Sequence, residues 1–383
     1  MNKLRVVHLG GYAGDGWLSI ARYQRELSRG LEALNGNRSI ELTSVAPEPG
    51  GFINRLSSAG PLGARTASYW SRFVIYPRQL PRIPGAIYHL MDQSLSYLVD
   101  SLDPARTVIT CHDLLHFPLQ DRMQRISVWP WASNRLYRFC VGKLPRCAAI
   151  IAVSDQNKND AIRYLGCEPE RIRVIYEGVS PAFLKPPDPA QVASLQASLR
   201  LTGEFILLHV GVCALYKNLE GVLQTLRELR RALRRPVTLL RVGPSLAPAQ
   251  RRLARQLGIA GAIREAGIHG DETLPALYQL ADCLVFPSLY EGFGLPPIEA
   301  MACGLPVIAS NRGSLPEILG DAALLVDPED PVAIARAVQR VLEDAALRQT
   351  LRARGFKRSS QFRWEHCAEE TLAVYRSVQE RAA

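Results

Sequence analysis

Short runs of consecutive apolar residues alternate along this chain with longer segments in which apolar positions recur every three or four residues. The runs suit strands buried on both faces, and the longer segments suit helices that bury one stripe. Strands are expected over residues 5–9, 40–45, 86–90, 107–110, 149–153 and 173–176, and again over 205–210, 237–242, 263–266, 283–286, 307–309 and 323–326. Strand followed by helix, repeated, is the pattern of a parallel α/β sheet, so the chain reads as two doubly wound domains. Its 383 residues exceed what a single core usually organises. Between the two series lies Pro181-Ala182-Phe183-Leu184-Lys185-Pro186-Pro187-Asp188-Pro189, dense in proline and poor in core residues, with a helix-like segment over 190–199 after it. The expected division is an N-terminal domain over 1–184, a linker over 185–200, a C-terminal domain over 201–363 and a terminal helix over 364–383. That helix has Trp364, Cys367, Leu372 and Tyr375 to bury and could pack back toward the N-terminal domain.

Composition is that of an ordinary globular protein. No apolar run reaches membrane-spanning length, and the first residues enter a short strand without a signal-peptide core, so a cytoplasmic location is expected. The eight cysteines are scattered through mostly apolar segments, with no CxxC pair and no histidine at zinc spacing, as expected of reduced, buried thiols. No Asp-x-Asp motif or histidine cluster calls for a metal.

Charge adds an asymmetry. The net charge is +10, and 23 of the 46 Lys and Arg but only 15 of the 36 Asp and Glu precede Pro186. Residues 65–82 and 122–146 combine arginines with Tyr69, Trp70, Phe73 and Tyr76, and with Trp129, Trp131, Tyr137 and Phe139. Such stretches suit an anionic membrane surface or an acidic acceptor; they equally suit solvated helix faces whose aromatics enter a core. No DNA- or RNA-recognition motif is present, so nucleic acid is not an expected partner.

The chemistry concentrates in Pro287-Ser288-Leu289-Tyr290-Glu291-Gly292-Phe293-Gly294-Leu295-Pro296-Pro297-Ile298-Glu299. An apolar strand precedes this stretch and a proline-started helix succeeds it, so its glycines sit at a strand-to-helix turn. The N–H groups of Phe293, Gly294 and Leu295 would point beyond the strand end, where the helix dipole favours an anion such as phosphate. Glu291 before the turn and Glu299 early in the helix would accept hydrogen bonds from vicinal sugar hydroxyls. Singly, each Glu reads as a solvated loop residue or a helix-dipole acid. Together with the turn they point to a sugar nucleotide.

Continued through Cys303-Gly304-Leu305-Pro306-Val307-Ile308-Ala309-Ser310 and Gly313-Ser314-Leu315-Pro316-Glu317-Ile318, this stretch closely resembles the E-x7-E signature region of family 4 glycosyltransferases. The resemblance extends over nearly the full length and is strongest over 205–330. It implies the GT-B fold, two Rossmann-like domains facing across a cleft that closes over the donor. It also implies retaining, metal-independent transfer of a hexosyl unit, mannose or glucose type, from a nucleotide diphosphate sugar to a hydroxyl acceptor. The acceptor would be a lipid-linked or cell-envelope glycan, reached at the inner face of the membrane. No cofactor is implied beyond the sugar nucleotide, which is a substrate.

Residue by residue, the resemblance assigns the sugar hydroxyls to Glu291 and the ribose diol to Glu299. Lys217, in Tyr216-Lys217-Asn218, resembles the family's Arg-Lys-Asn step, whose cations hold the donor diphosphate, and Tyr216 stands where arginine is common. Gly211 and Val212 open the same turn, and Gly243, Ile268 and Leu274 fall at strand ends that would line the base pocket. His112, in Thr110-Cys111-His112-Asp113, resembles the His-Asp element beside the reacting sugar; read alone, it is equally a buried histidine held by a backbone partner. Gly14, Gly16 and Ser19 occupy the first turn, which is not GxGxxG and has Leu18-Ser19 in place of the family's Gly-Gly pair. Glu177 stands where the family often has Asn. The surroundings of His112 and Lys217 look like those of mannosyltransferase-like members, which favours GDP-mannose while leaving UDP-sugars open. Two other readings also stay open: a nucleotide-sugar epimerase or sugar-phosphate synthase of the same fold, and a catalytically silent sugar-nucleotide-binding subunit.

Overall fold

The computed structural model describes residues 3–11, 18–35, 40–47, 69–121 and 130–382. They form two units, one of residues 1–177 with 364–383 and one of residues 178–363. The boundary falls ahead of the proline-dense stretch, so Pro181–Leu184 and the helix Pro189–Ser198 belong to the second unit.

The first unit is built on six parallel strands, β1 (Leu4–Leu9), β2 (Ile40–Val45), β3 (Ile87–Leu90), β4 (Thr107–Cys111), β5 (Ala149–Ala152) and β6 (Ile172–Val174), in the order β2-β1-β3-β4-β5-β6. The second has β7 (Phe205–Val210), β8 (Val237–Val242), β9 (Ile263–Gly267), β10 (Cys283–Phe286), β11 (Val307–Ser310) and β12 (Leu324–Val326), in the order β12-β11-β10-β7-β8-β9. Strand ends differ from the sequence expectation by a residue or two. The apolar runs are continuous in the inner strands, such as β3, β4, β5, β8, β10 and β11, which are buried on both faces, while the edge strands β2 and β9 are partly exposed. In the first unit Val7, Leu9, Ile109 and Ile150 face one core while Leu4, Val6, Val108 and Ile151 face the other.

Four helices matter most to the packing and to the chemistry: α1 (Leu18–Leu34), α2 (Leu219–Ala232), α3 (Leu295–Ala302) and α4 (Trp364–Arg381). In the first unit α4 lies against α1, burying Trp364, Ala368, Leu372 and Tyr375 with Tyr23, Leu27 and Leu31. The helices approach so closely at Gly30 that a Cβ there would come 2.7 Å from the Ala368 Cβ. A buried polar seam runs beneath them. The Tyr375 hydroxyl lies 3.0 Å from His8 Nε2 and 2.6 Å from His89 Nδ1, and Thr110 Oγ1 bridges His89 Nε2 at 2.8 Å and the Tyr23 hydroxyl at 3.0 Å. Burial holds both imidazoles neutral, lowering His8 to about 3 and His89 well below its ordinary value.

In the second sheet β8 and β9 extend to one side of β7, and the chain then crosses to place β10 on the other. Such a reversal leaves a crevice beyond the carboxyl ends of β7 and β10, where open α/β sheets take their ligands. The turn after β7 carries Gly211 to Lys217, and the turn after β10 carries Glu291 to Gly294.

Candidate functional site

Both turns at this crevice are tied to each other. Asn218 adopts a left-handed conformation (φ 52°), which asparagine tolerates better than most residues, and caps α2 through Oδ1, which accepts from the Gly221 amide. Its Nδ2 donates to the carbonyls of Pro287 (3.1 Å) and Pro328 (2.6 Å). The Leu289 amide donates to the Tyr216 carbonyl at 2.7 Å. The Tyr216-Lys217-Asn218 step is therefore fixed against the end of β10.

That placement brings Lys217 to Glu291. Nζ lies 2.7 Å from Oε1 across 74 residues of sequence, with each side chain about a tenth exposed. The ammonium also sits 4.9 Å from the Phe286 ring centroid and 5.2 Å from that of Tyr216. Tyr216 thus contributes an aromatic face to Lys217 where the resemblance expects a second cation. The Glu291 backbone is held in turn: its carbonyl accepts from the Ser314 hydroxyl (3.0 Å) and amide (3.2 Å), and the same hydroxyl lies 3.1 Å from the Phe293 carbonyl.

Helix α3 begins at Leu295 with Gly294 as its N-cap, a residue earlier than the Pro-Pro step suggests. Glu299 consequently lies in the second turn rather than the first. It is buried, and its Oε2 accepts from the Tyr278 hydroxyl at 2.8 Å. Phe293, Gly294 and Leu295 are buried at the helix start. Gly243 packs at the end of β8 with its amide on the Gly267 carbonyl (2.8 Å), next to Gly211, whose amide reaches the Val242 carbonyl (3.0 Å). Val212 and Ile268 are exposed apolar side chains at these strand ends, and Leu274 is buried at the start of the helix Leu274–Gln279.

His112 belongs to the other unit, at the end of β4. Its Nε2 lies 3.0 Å from the Met91 carbonyl, which can only accept, so Nε2 carries a proton. Its Nδ1 lies 2.9 Å from Glu177 Oε1, and the pair therefore shares one further proton. Burial alone would lower the His112 pKa, but the hydrogen bond and charge of Glu177 outweigh it and raise the value. The main chain is pinned as well, with the amide on Gln93 Oε1 (2.9 Å) and the carbonyl on Asn157 Nδ2 (2.6 Å). The Tyr23 ring stands edge-on to the imidazole at 4.7 Å. His112 is thus held in place with both ring nitrogens engaged. Ser19 is exposed near the start of α1, and Gly14 and Gly16 lie outside the described residues.

Sequence reading names Lys217 and Glu291 separately without pairing them, and it misses the roles of Tyr278, Ser314 and Asn157. Each of those acts through a contact distant in sequence, which no local pattern announces. Glu177 is signalled only as a residue in an unusual place.

In the first unit Tyr69, Trp70 and Phe139 are about half exposed. Phe73 joins Tyr69 and Phe139 at ring distances of 6.1 and 5.9 Å. Among the described residues no helix is long and apolar enough to cross a membrane.

Known proteins resemble this chain in sequence and in fold. Residues 193–358 match the family model described as glycosyl transferases group 1, and residues 20–183 match that of glycosyltransferase family 4. The chain is 33% identical to the O-antigen chain mannosyltransferase B of Escherichia coli over 375 residues, covering 93% of this chain and 95% of that protein. It is 32% identical over 315 residues to the serotype-specific mannosyltransferase WbdA of Escherichia coli, covering 80% of this chain but 38% of that longer protein. Among solved structures, sucrose-phosphate synthase from Thermosynechococcus elongatus superposes with a TM-score of 0.70 at 24% identity, covering 98% of this chain and 99% of the other. Anabaena HepE in complex with UDP and glucose superposes at 0.71 and 18% identity, covering 98% and 100%. These likenesses show the fold, which is GT-B.

Proposed function

The chain belongs to glycosyltransferase family 4 and is a hexosyltransferase, and on that premise we propose that it moves a mannosyl unit from a nucleoside diphosphate to a glycan hydroxyl. The acceptor is a cell-envelope glycan, lipid-linked by this reading, and the donor is GDP-mannose ahead of UDP-sugars. The likeness to the two Escherichia coli mannosyltransferases supports this choice.

The observation that carries the reading is the buried Lys217–Glu291 pair at the β7/β10 crevice. A sugar nucleotide offers each member of that pair a new partner. Its diphosphate takes the ammonium of Lys217, and its sugar hydroxyls donate to Glu291. Glu299, held by Tyr278, accepts from the ribose diol, and Val212 and Ile268 offer apolar contact to the base. As the bond from the sugar's anomeric carbon to the diphosphate breaks, charge grows on the leaving oxygen, where Lys217 and the amides of Phe293 to Leu295 stabilise it. The acceptor oxygen bonds to the same face of that carbon and its proton passes to a donor phosphate oxygen, so configuration is retained. Residues of the chain supply the countercharge, and the route uses no metal.

A thermal-shift panel of UDP, GDP and ADP with their hexose derivatives tests the reading, because a ligand that binds only the native state raises stability as ln(1 + [L]/Kd). GDP and GDP-mannose are expected to raise the melting temperature most. A chain stabilised by none of them does not use a sugar nucleotide at this site.

We also propose a cytoplasmic position with peripheral contact to an anionic membrane, through Tyr69, Trp70 and Phe139 and the arginines beside them. Co-sedimentation with anionic vesicles should fall as salt rises; equal binding to neutral vesicles, or none to either, contradicts it.

A further inference from the structure

Arg241, on β8, is the largest fully buried side chain among the described residues. Its guanidinium donates from Nη1 to the Val242 carbonyl and from Nη2 to the Gly211 carbonyl, with Cys213 Sγ 3.6 Å from Nη2. Its Nε has no partner among the described residues. Glu265, the neighbour across β8 and β9, turns instead to the Leu246 amide (2.6 Å) and to Arg251 (3.1 Å). A buried guanidinium with carbonyl partners and no paired carboxylate is costly in the free protein, and such a group is retained where something offsets it.

The space for this cation is made by glycines at the end of the strand pair. A Cβ on Gly243 (φ +136°) would collide with both the Gly211 carbonyl and Nη1. Gly211 itself touches two cations: its carbonyl accepts from Arg241, and the stem of Lys217 runs along it, with Cδ 3.5 Å from where a Cβ would stand. His209, paired with Arg241 in the sheet register, keeps Nε2 without a partner among the described residues. Burial, then the Arg241 and Lys217 charges, push its pKa down to about 3. The Arg241 guanidinium and the stem of Lys217 therefore meet under one turn, and of the two cations Arg241 is the one without a carboxylate bonded to it.

We propose that Arg241 is a positioning residue of the donor site. From beneath the Gly211–Cys213 turn it supplies the second positive charge that Tyr216 does not, and so favours the placing of the donor diphosphate at Lys217. The inference rests on the sugar-nucleotide reading of the crevice and explains how that reading survives the loss of an arginine at position 216. In a low-dielectric interior a fixed charge acts across a turn that would screen it in water. The arriving anion offsets the cost of the buried guanidinium.

Calorimetric binding of GDP, guanosine and inorganic pyrophosphate to the wild type, Arg241→Met, Arg241→Lys and the double variant Arg241→Met/Tyr216→Arg tests this. Arg241→Met is expected to weaken GDP and pyrophosphate by about tenfold or more, to leave guanosine unchanged, and to be rescued by Arg241→Lys and by the added Tyr216→Arg change. A merely structural arginine would weaken guanosine together with GDP and would not be rescued by a charge at position 216. Unchanged GDP and pyrophosphate affinity in Arg241→Met, or a loss that Tyr216→Arg does not recover, overturns the inference and leaves the donor reading standing. A wild type that binds neither GDP nor pyrophosphate overturns both. If Arg241→Met does not fold, Tyr216→Arg alone decides: a site that already holds two cations gains less than about threefold in pyrophosphate affinity, and a gain of about tenfold contradicts the inference.

Discussion

Lys217 and Glu291 neutralise each other in a nearly buried position, so removing either leaves the other charged and unpaired. Loss of one member of such a pair costs on the order of 3 kcal/mol, whereas replacing both by neutral side chains is much less costly. Lys217→Met is therefore expected to lower stability by about 3 kcal/mol in chemical denaturation, and Lys217→Met/Glu291→Gln to recover most of it while transfer stays lost. His112 and Glu177 behave differently because their pair holds a proton. The folded His112 pKa is raised, so its contribution to stability is fully present below the ordinary histidine value and is lost as pH rises through the folded value. His8, His89 and His209 are lowered, so theirs is present above the ordinary value and is lost as pH falls. Denaturation curves across the neutral range should show Glu177→Gln removing the loss on the alkaline side while leaving the acid-side loss in place.

At the scale of elements, the inner strands were legible because they are buried on both faces, which makes apolar runs continuous and their length that of a strand. The glycine turn before α3 was legible for the same local reason: Gly294 and the Pro-Pro step punctuate it. Contacts between elements were not legible. Asn218 meets Pro328, Tyr278 meets Glu299, and His112 meets Glu177 across 65 residues, and no periodicity encodes these meetings. The packing of α4 is only partly of this kind: the sequence directs the helix back toward the N-terminal domain without naming α1 as its partner. Gly30 is where that packing is tightest, and Gly30→Leu is expected to push the helices apart at a cost of about 2 kcal/mol, read as a lower denaturation midpoint with unchanged slope.

Over the whole molecule, two sheets of the same design carry different chemistry. The second places a cation, two carboxylates and a glycine turn at its β7/β10 crevice, while the first holds a histidine–glutamate pair and a seam of neutral histidines. Membership of family 4 accounts for the fold and the class of reaction, and the buried pair supplies the site at which the donor is held by our reading. The most direct test is the release of nucleoside diphosphate and transfer of mannose from GDP-mannose to an envelope glycan extract, compared between wild type and Glu291→Gln at matched folded fraction. The account predicts transfer by the wild type and a loss of about a hundredfold or more in the variant, the scale of removing a group that acts on the transition state. Equal transfer by the two proteins would contradict it.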